Sequence, residues 1–309
     1  MNILSNPLHI TQKSVATLGF FDGVHLGHRF LLNELKNIAA DRHLPSTIIT
    51  FTEHPRKILH ADYQPKLLST LAEKTELLQS TGIDNCILLD FTNELSQLSA
   101  REFIQDILFN KLNITTLLVG YDHRFGHNRS ETFDDYCRYG NQIGLEVINT
   151  AKYENADFTN ISSSEIRKSL LNGETQQANA MLGYNYSLQG TVIHGLKNGR
   201  KLGFPTANIA AAPEKLTPAS GVYAAKVQHG DRVFEGMLNI GYRPTFGSKS
   251  ALSVEVNIFD FSAEIYGDNI KIWILDKIRN ETKFDSLQML AAQLGKDAQQ
   301  IREMFLISD

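Results

Sequence analysis

The pattern of apolar residues in this 309-residue chain changes at Gly183. Up to about residue 182, short strand-like runs alternate with segments of helical periodicity. Strands that alternate with helices imply βαβ units and a parallel sheet. After Gly183, short β-rich runs separated by Gly, Asn, Asp or Pro predict a small antiparallel barrel, and residues 285–305 return to a helical pattern. We therefore predict an α/β domain over residues 1–183 and a barrel domain with a terminal helix over residues 184–309.

The composition is that of a soluble globular protein, with 42% hydrophobic and 21% charged residues. The net charge is −4 and there is no long run of Lys or Arg, which argues against a nucleic-acid or membrane-surface partner. The first residues lack the basic and apolar regions of a signal peptide. No apolar run approaches the ~20 residues needed to span a bilayer. We therefore expect a cytoplasmic protein.

A turn with two histidines follows the first predicted strand, which covers residues 15–20. The segment GFFDGVHLGH spans residues 19–28, and a helical pattern begins at His28. A helix N-terminus attracts phosphate through free N–H groups and the positive end of the helix dipole. Imidazoles can add hydrogen bonds to a triphosphate, and glycines let the backbone approach it. This predicts a phosphate site around His25 and His28; the alternative is a tight turn with two surface histidines.

Two more segments of the first domain carry groups suited to the same ligand. The loop GYDHRFG, at residues 120–126, follows the fourth predicted strand, and ligands of parallel sheets bind beyond the carboxyl ends of the strands. The segment ISSSEIR, at residues 161–167, places hydroxyls and Arg167 at the start of a helix. Such groups bind anionic oxygens well. The alternatives are an ordinary helix cap for the serines and an Asx turn for Asp122.

The barrel domain has its own cluster of polar groups. Residues 195–208, GLKNGRKLGFPTAN, form a loop rich in glycine and cations that ends in Thr206 and Asn208. Backbone amides and cations can hold phosphates, and Thr and Asn oxygens are hard ligands that suit Mg²⁺, although the loop lacks the P-loop pattern. Glu255 lies in an apolar strand, where strict alternation places it on one face with Asn257. It is a candidate general base; the alternative is the solvent face of a half-buried strand.

Taken in order, these segments resemble the family of bacterial bifunctional riboflavin kinases/FMN adenylyltransferases, also called FAD synthetases. The matching segments cover nearly the whole chain: GFFDGVHLGH (19–28), TFTEHPRKIL (50–59), GYDHRFG (120–126), ISSSEIRKSL (161–170), YSLQGTVIHG (186–195), GRKLGFPTANI (199–209), LNIGYRPTFG (238–247), VEVNIFDF (254–261) and IYGD (265–268). The combination is specific, whereas each motif alone is weak. The resemblance implies a Rossmann-like nucleotidyltransferase domain followed by a six-stranded riboflavin kinase barrel with a C-terminal helix. It also implies ATP, riboflavin and FMN as substrates and Mg²⁺ as the cofactor of ATP.

The resemblance also implies residue roles. His25 and His28 would bind the ATP phosphates and the leaving pyrophosphate, Thr206 and Asn208 would hold Mg²⁺, and Glu255 would accept the proton of the riboflavin 5′-hydroxyl. The other groups implied to bind ATP or its phosphates are Gly19, Phe20, Asp22, Gly23, Ser163, Ser164, Arg167, Gly199, Arg200 and Gly203. Those implied to contact flavin are Asp122, Phe125, Asn239, Arg243 and Arg279.

The chain departs from the family pattern at three places. His123 replaces the usual Phe of GxDFxFG, Glu53 replaces a Pro or bulky apolar residue, and residues 279–284 lack the proline of RPExxF. These differences would tune flavin affinity. Two alternatives to a bifunctional enzyme are an enzyme with one remaining activity and a flavin- or nucleotide-binding regulator without turnover. The presence of both sets of chemical groups argues against both.

Overall fold

The chain forms two compact units, Met1–Ile161 and Ser162–Asp309. The computed structural model describes residues 1–55, 57, 66–127, 129–158, 160–195, 198–243 and 251–308. The division between the units falls before the domain boundary expected at residue 183, which stays a prediction. In the described part of the chain, no helix is long and apolar enough to cross a membrane.

The first unit is built on a six-stranded parallel sheet in the order β1-β4-β3-β2-β5-β6. Its strands are β1 (Asn2–Ser5), β2 (Ser14–Leu18), β3 (Ser46–Phe51), β4 (Asn85–Leu89), β5 (Ile114–Val119) and β6 (Glu146–Asn149). Its described helices are α1 (Leu26–Asp41), α2 (Leu71–Gln79), α3 (Asn93–Gln97), α4 (Ala100–Glu102), which continues as a π-helical segment (Phe103–Lys111), and α5 (Phe133–Ile143). The Rossmann-like α/β fold is confirmed.

The two central strands are buried along their whole length. Every residue of β2 and β3 is buried, because apolar cores cover both faces of the sheet. Burial on both faces explains why apolar and polar residues do not alternate along these strands, whose Ser and Thr residues are buried with the rest. The sequence pattern does not predict β1, because its four residues are exposed and become a strand only by pairing with β4.

The second unit contains a closed antiparallel barrel in the order β10-β11-β8-β7-β12-β9. Its strands are β7 (Ser187–Ile193), β8 (Ala207–Ala211), β9 (Gly221–His229), β10 (Arg232–Arg243), β11 (Ala251–Ile258) and β12 (Asn269–Arg279). Its described helices are α6 (Ser163–Asn172), α7 (Thr175–Leu182), α8 (Asn198–Lys201) and α9 (Leu287–Ser308). Ile301 and Phe305 of α9 belong to a core with Val222 and Met237 of the barrel. The six-stranded barrel with its terminal helix is confirmed.

Helices α6 and α7 are held to the barrel by hydrogen bonds. The backbone N–H of Ala219 donates to the carbonyl of Leu170 at 3.0 Å. Asn179 Nδ2 donates to the carbonyl of Ile274 at 2.9 Å, and Asn179 Oδ1 accepts from the N–H of Tyr186 at 2.7 Å. The helix pair therefore belongs to the second unit, although the alternation of strands and helices groups it with the first domain.

Candidate active sites

His25 is the N-cap of α1. Its Nδ1 accepts a hydrogen bond from the backbone N–H of His28 at 3.3 Å, so it satisfies one of the N–H groups that a helix leaves without an intrahelical partner. A neutral imidazole that accepts at Nδ1 carries its proton on Nε2. The cap therefore fixes His25 as an Nε2–H donor at the start of the helix.

His28 is a neutral imidazole packed between two rings. Its ring stacks on His25 with centroids 3.6 Å apart, and the Phe21 ring meets it edge-on at 5.2 Å. Burial, and then repulsion by the charges of His25, His123 and Lys74, holds the pKa of His28 well below its ordinary value. His28 Nδ1 is buried and has no hydrogen-bond partner among the described residues. An imidazole at a helix N-terminus with an unmade hydrogen bond is suited to an anionic ligand.

Asp22 supports the turn from below. It is 3% exposed and accepts hydrogen bonds from the backbone N–H groups of Leu68 at 3.1 Å and Ser69 at 3.0 Å. The N–H of Gly23 donates to Ser69 Oγ at 3.0 Å. The resemblance implies that Asp22 and Gly23 bind ATP, which stays a prediction. In the structure both of them join the turn to residues 68–69.

The turn stores backbone strain. Phe21 and Val24 both have positive φ, 54° and 37°, which costs a residue with a side chain on the order of 1–2 kcal/mol. Gly23, with φ 78°, adopts the same region without that cost. Gly19 is held by the hydrogen bond from its N–H to the carbonyl of Ile49 at 3.1 Å. The hydrogen bonds of Asp22 hold the strained turn in place.

Lys74 is a buried cation that the sequence analysis misses. It lies on α2, and its Nζ donates to the carbonyls of Phe51 at 2.8 Å and Phe20 at 3.3 Å and to Thr50 Oγ1 at 3.3 Å. The same Nζ lies 4.2 Å from the centroid of the Phe20 ring. Burial lowers the pKa of Lys74 to about 8. Its position one helical turn before the buried Leu78 is the only sequence signal of burial, and lysines at such positions usually reach solvent.

The loop after β5 places its two predicted flavin contacts in different environments. Asp122 is exposed, whereas Phe125 is 8% exposed and stacks on Tyr136 with centroids 4.3 Å apart. The hydroxyl of Tyr136 donates to the carbonyl of Phe125 at 3.2 Å and accepts from its N–H at 3.1 Å. Phe125 thus belongs to the core of the first unit, and the flavin contacts of both residues stay predictions.

The ISSSEIR segment begins α6. Ser162 is the N-cap, and its Oγ accepts from the N–H of Glu165 at 3.3 Å. Ser163 and Ser164 occupy the first two positions of the helix, with Arg167 one turn further on. The cap that the sequence suggested is therefore present, on a helix of the second unit. Binding of phosphate by Ser163, Ser164 and Arg167 stays a prediction.

The barrel brings Thr206, Asn208 and Glu255 together. Thr206 Oγ1 donates to Glu255 Oε2 at 3.1 Å. In the register of the sheet, Glu255 on β11 pairs with Asn208 on β8 and with Asn239 on β10. Directly paired residues share a face with Cβ atoms about 5 Å apart, so these polar side chains form a row across three strands. Hydroxyl, amide and carboxylate oxygens are the ligands that Mg²⁺ prefers, so the row fits an ion brought by ATP.

Two residues to which the sequence pattern assigns no role position this row. A Cβ added to Gly195 would lie 2.2 Å from Asn208 Nδ2, so any larger residue would displace the amide. Asn257 Nδ2 donates to the carbonyl of Pro205 at 2.6 Å and holds the loop before Thr206. The sequence places Asn257 on the same face as Glu255, and this alternation is the signal that could have found it.

The remaining predicted residues of the barrel differ in their surroundings. Arg279 ends β12, and its Nε and Nη2 donate to Asp297 Oδ2 on α9 at 2.9 and 2.8 Å. Gly199 lies close under the loop, since an added Cβ would be 2.2 Å from the carbonyl oxygen of Phe204. The other three predicted residues lie on α8, in the following turn and at the end of β10: Arg200, Gly203 and Arg243. Their contacts with substrate, and that of Arg279, stay predictions.

A parallel α/β sheet with imidazoles at a helix N-terminus, and a barrel with a hydroxyl–amide–carboxylate row, define an enzyme that transfers phosphate-containing groups from nucleotides. Residues 8–165 match the family model for FAD synthetase, and residues 182–305 match the model for riboflavin kinase. The chain belongs to the family of bifunctional riboflavin kinases/FMN adenylyltransferases.

Relatives across most of the chain's length support this assignment. The bifunctional riboflavin kinase/FMN adenylyltransferase of Listeria monocytogenes is 39% identical over 95% of this chain and 93% of its own. The Bacillus subtilis protein of the same name is 36% identical over 98% of this chain and 97% of its own. A crystal structure from Streptococcus pneumoniae, described as a macrolide-efflux protein, has a TM-score of 0.88 and 32% identity, and the match covers 98% of this chain and 99% of that one.

Proposed function

We propose that the barrel transfers the γ-phosphoryl group of ATP to the 5′-hydroxyl of riboflavin, and that the α/β unit transfers the adenylyl group of a second ATP to the FMN formed. The products are ADP and FMN in the first reaction, and FAD and pyrophosphate in the second. The observation that carries the proposal is the hydrogen bond between Thr206 and Glu255, next to Asn208 on the paired strand. We further propose that both reactions take place in the cytoplasm, where ATP is available.

In the kinase reaction the nucleophile is a neutral alcohol, which must lose a proton as it attacks phosphorus. The Glu255 carboxylate is the group proposed to accept that proton. The hydroxyl of Thr206 donates to one of its oxygens and so orients the carboxylate. Thr206 and Asn208 would hold Mg²⁺, which neutralises charge on the ATP phosphates.

In the adenylyl transfer the nucleophile is the FMN phosphate, which is ionised at neutral pH and needs no base. The requirement is stabilisation of charge on the α-phosphate and on the leaving pyrophosphate. His25 would supply its Nε2–H, and His28 would use its Nδ1, which makes no hydrogen bond to the residues that the structure describes. Both imidazoles act at the N-terminus of α1, where the helix dipole favours an anion.

Two variants assign the reactions to separate sites. Purified protein is incubated with Mg-ATP and either riboflavin or FMN, and FMN and FAD are resolved by chromatography. Glu255→Gln should lower kcat for FMN formation by roughly 10²–10⁴, with FAD formation from supplied FMN unchanged. His28→Ala should lower FAD formation by roughly 10²–10³, with FMN formation unchanged.

The outcome that contradicts the assignment is equal loss of both reactions in either variant with folding intact, as judged by circular dichroism. Wild-type protein that binds riboflavin and ATP without forming FMN or FAD would instead indicate a binding regulator. Formation of FMN without FAD would indicate that a single activity remains.

A further inference from the structure

The first unit contains a second buried imidazole nitrogen with no partner. Among the described residues, His123 Nε2 is buried without a hydrogen bond, as is His28 Nδ1. A buried polar atom without a hydrogen bond is costly, and in native proteins it calls for an explanation. The mechanism above uses His28 and does not use His123.

The topology places His123 beside the histidine turn. It follows β5, which pairs in parallel with β2, the strand that leads into the turn, so both segments lie beyond the same edge of the sheet. A Cβ added to Gly120 would lie 3.5 Å from the Cβ of His123 and 3.9 Å from Leu31 Cδ2 on α1. The charges of His28 and His123 repel each other when both rings are protonated. The two imidazoles therefore come from different elements at the same edge of the sheet.

The surroundings of His123 keep its ring neutral. Burial, and then the charge of Arg129, lowers the pKa of His123 to about 4, against an opposing contribution from Asp122. Its backbone N–H donates to the carbonyl of Gly120 at 3.0 Å, which fixes the loop, and the Phe125 ring lies 6.2 Å away. A neutral imidazole has one N–H donor, so it can donate a hydrogen bond to a phosphate oxygen without forming an ion pair.

We propose that His123 binds substrate in the adenylyl-transfer site, where its Nε2–H donates to a phosphate oxygen of the anion that also contacts His28. This inference rests on the proposed adenylyl transfer. Two substrates bring such an oxygen, ATP and FMN, and the hydrogen bond is the same in both cases. His123 adds binding rather than proton transfer, so its removal should change KM more than kcat.

The test compares two variants of the full-length protein. His123→Phe keeps an aromatic ring and removes the donor, whereas His123→Gln places an amide N–H near the position of Nε2. We expect His123→Phe to raise KM about tenfold for one substrate of FAD formation, the worth of one hydrogen bond. His123→Gln should restore most of the loss, and riboflavin phosphorylation should be unchanged in both variants. A rise for Mg-ATP alone assigns the bond to the triphosphate, and a rise for FMN alone assigns it to the flavin phosphate.

Unchanged KM for both substrates in His123→Phe would overturn the proposal, as would equal impairment of His123→Phe and His123→Gln, since packing alone would then explain the effect. If His123→Phe does not fold, ¹⁵N NMR of histidine-labelled wild-type protein decides instead. The Nε2 signal of His123 should shift when FMN or a non-hydrolysable ATP analogue is added, and a signal that ignores both ligands refutes the contact. A refutation of the His123 contact would not refute the adenylyl transfer, because the His28→Ala variant tests that reaction separately.

Discussion

Replacing Asn179 with alanine should weaken the second unit as a whole. Asn179 Nδ2 donates to the carbonyls of Ile274 at 2.9 Å and Leu275 at 3.3 Å, and its Oδ1 accepts from the N–H of Tyr186 at 2.7 Å. Alanine leaves these backbone groups without the side chain that joins α7 to the barrel. At about 1 kcal/mol for each hydrogen bond, we expect a loss of about 2–3 kcal/mol in the free energy of unfolding.

The chain carries its own probe for this measurement. Its single tryptophan, Trp273, lies on β12, so its fluorescence follows unfolding of the barrel rather than of the parallel sheet. With a slope of about 2 kcal/mol per molar urea, Asn179→Ala should lower the urea midpoint by roughly 1 M without changing the slope.

Asn172→Ala is the matched control. Asn172 ends α6 and is exposed, and among the described residues its side chain makes one hydrogen bond, from Nδ2 to Glu174 Oε1 at 3.5 Å. The same substitution there should change the free energy of unfolding by less than about 0.5 kcal/mol. If Asn179→Ala and Asn172→Ala shift the Trp273 transition equally, α6 and α7 do not stabilise the barrel and the reasoning fails.

Three further outcomes are expected. Gly195→Ala should lower FMN formation at least about tenfold, measured by chromatography, because the new Cβ would lie 2.2 Å from Asn208 Nδ2; unchanged FAD formation from FMN is its control. Asp22→Asn removes a charged acceptor of buried N–H groups, so it should lower the free energy of unfolding by about 2–4 kcal/mol. Urea titration of the full-length protein, followed by circular dichroism, measures this loss, and an unchanged midpoint would contradict the role of Asp22. Acid should destabilise the protein: the folded pKa values of His28 and His123 lie below 6.5, so the unfolded chain binds more protons as the pH falls from about 6.5 towards 4. For His123, with a folded pKa of about 4, the loss between pH 7 and pH 5 should be about 2 kcal/mol in urea titrations, and it should be absent from His123→Phe.

The sequence pattern predicts elements that are determined by their own residues, and it misses elements and contacts that depend on distant parts of the chain. Strands buried on both faces, such as β3, are runs rich in β-branched residues, which can be recognised in the sequence without knowledge of the neighbouring strands. Strand β1 depends on pairing with β4, more than 80 residues away in the chain, and its exposed residues carry no periodic signal. Helices α6 and α7 were predicted as helices, but the unit they pack on is decided by contacts such as the hydrogen bond from Ala219 to Leu170.

The same distinction applies to the sites. The residue types of Thr206, Asn208 and Glu255 indicate their chemistry, whereas the bond between Thr206 and Glu255 depends on the register of β8 and β11. Lys74 resembles a solvated lysine in the sequence, whereas in the fold its Nζ donates to the carbonyls of Phe20 and Phe51. Whether a polar group of this kind is buried depends on residues that are distant in the sequence, so spacing in the sequence does not reveal it.

At the N-cap position of α1, the residue that would best stabilise the helix differs from the residue that the proposed chemistry needs. Asp is a better helix cap than an imidazole and interacts favourably with the helix dipole, so His25→Asp would be expected to strengthen α1. The carboxylate would, however, stand where the triphosphate is proposed to bind, and it could not donate a hydrogen bond. Selection for a stable helix alone would therefore remove the imidazole, and a histidine at this helix start is a mark of selection for chemistry.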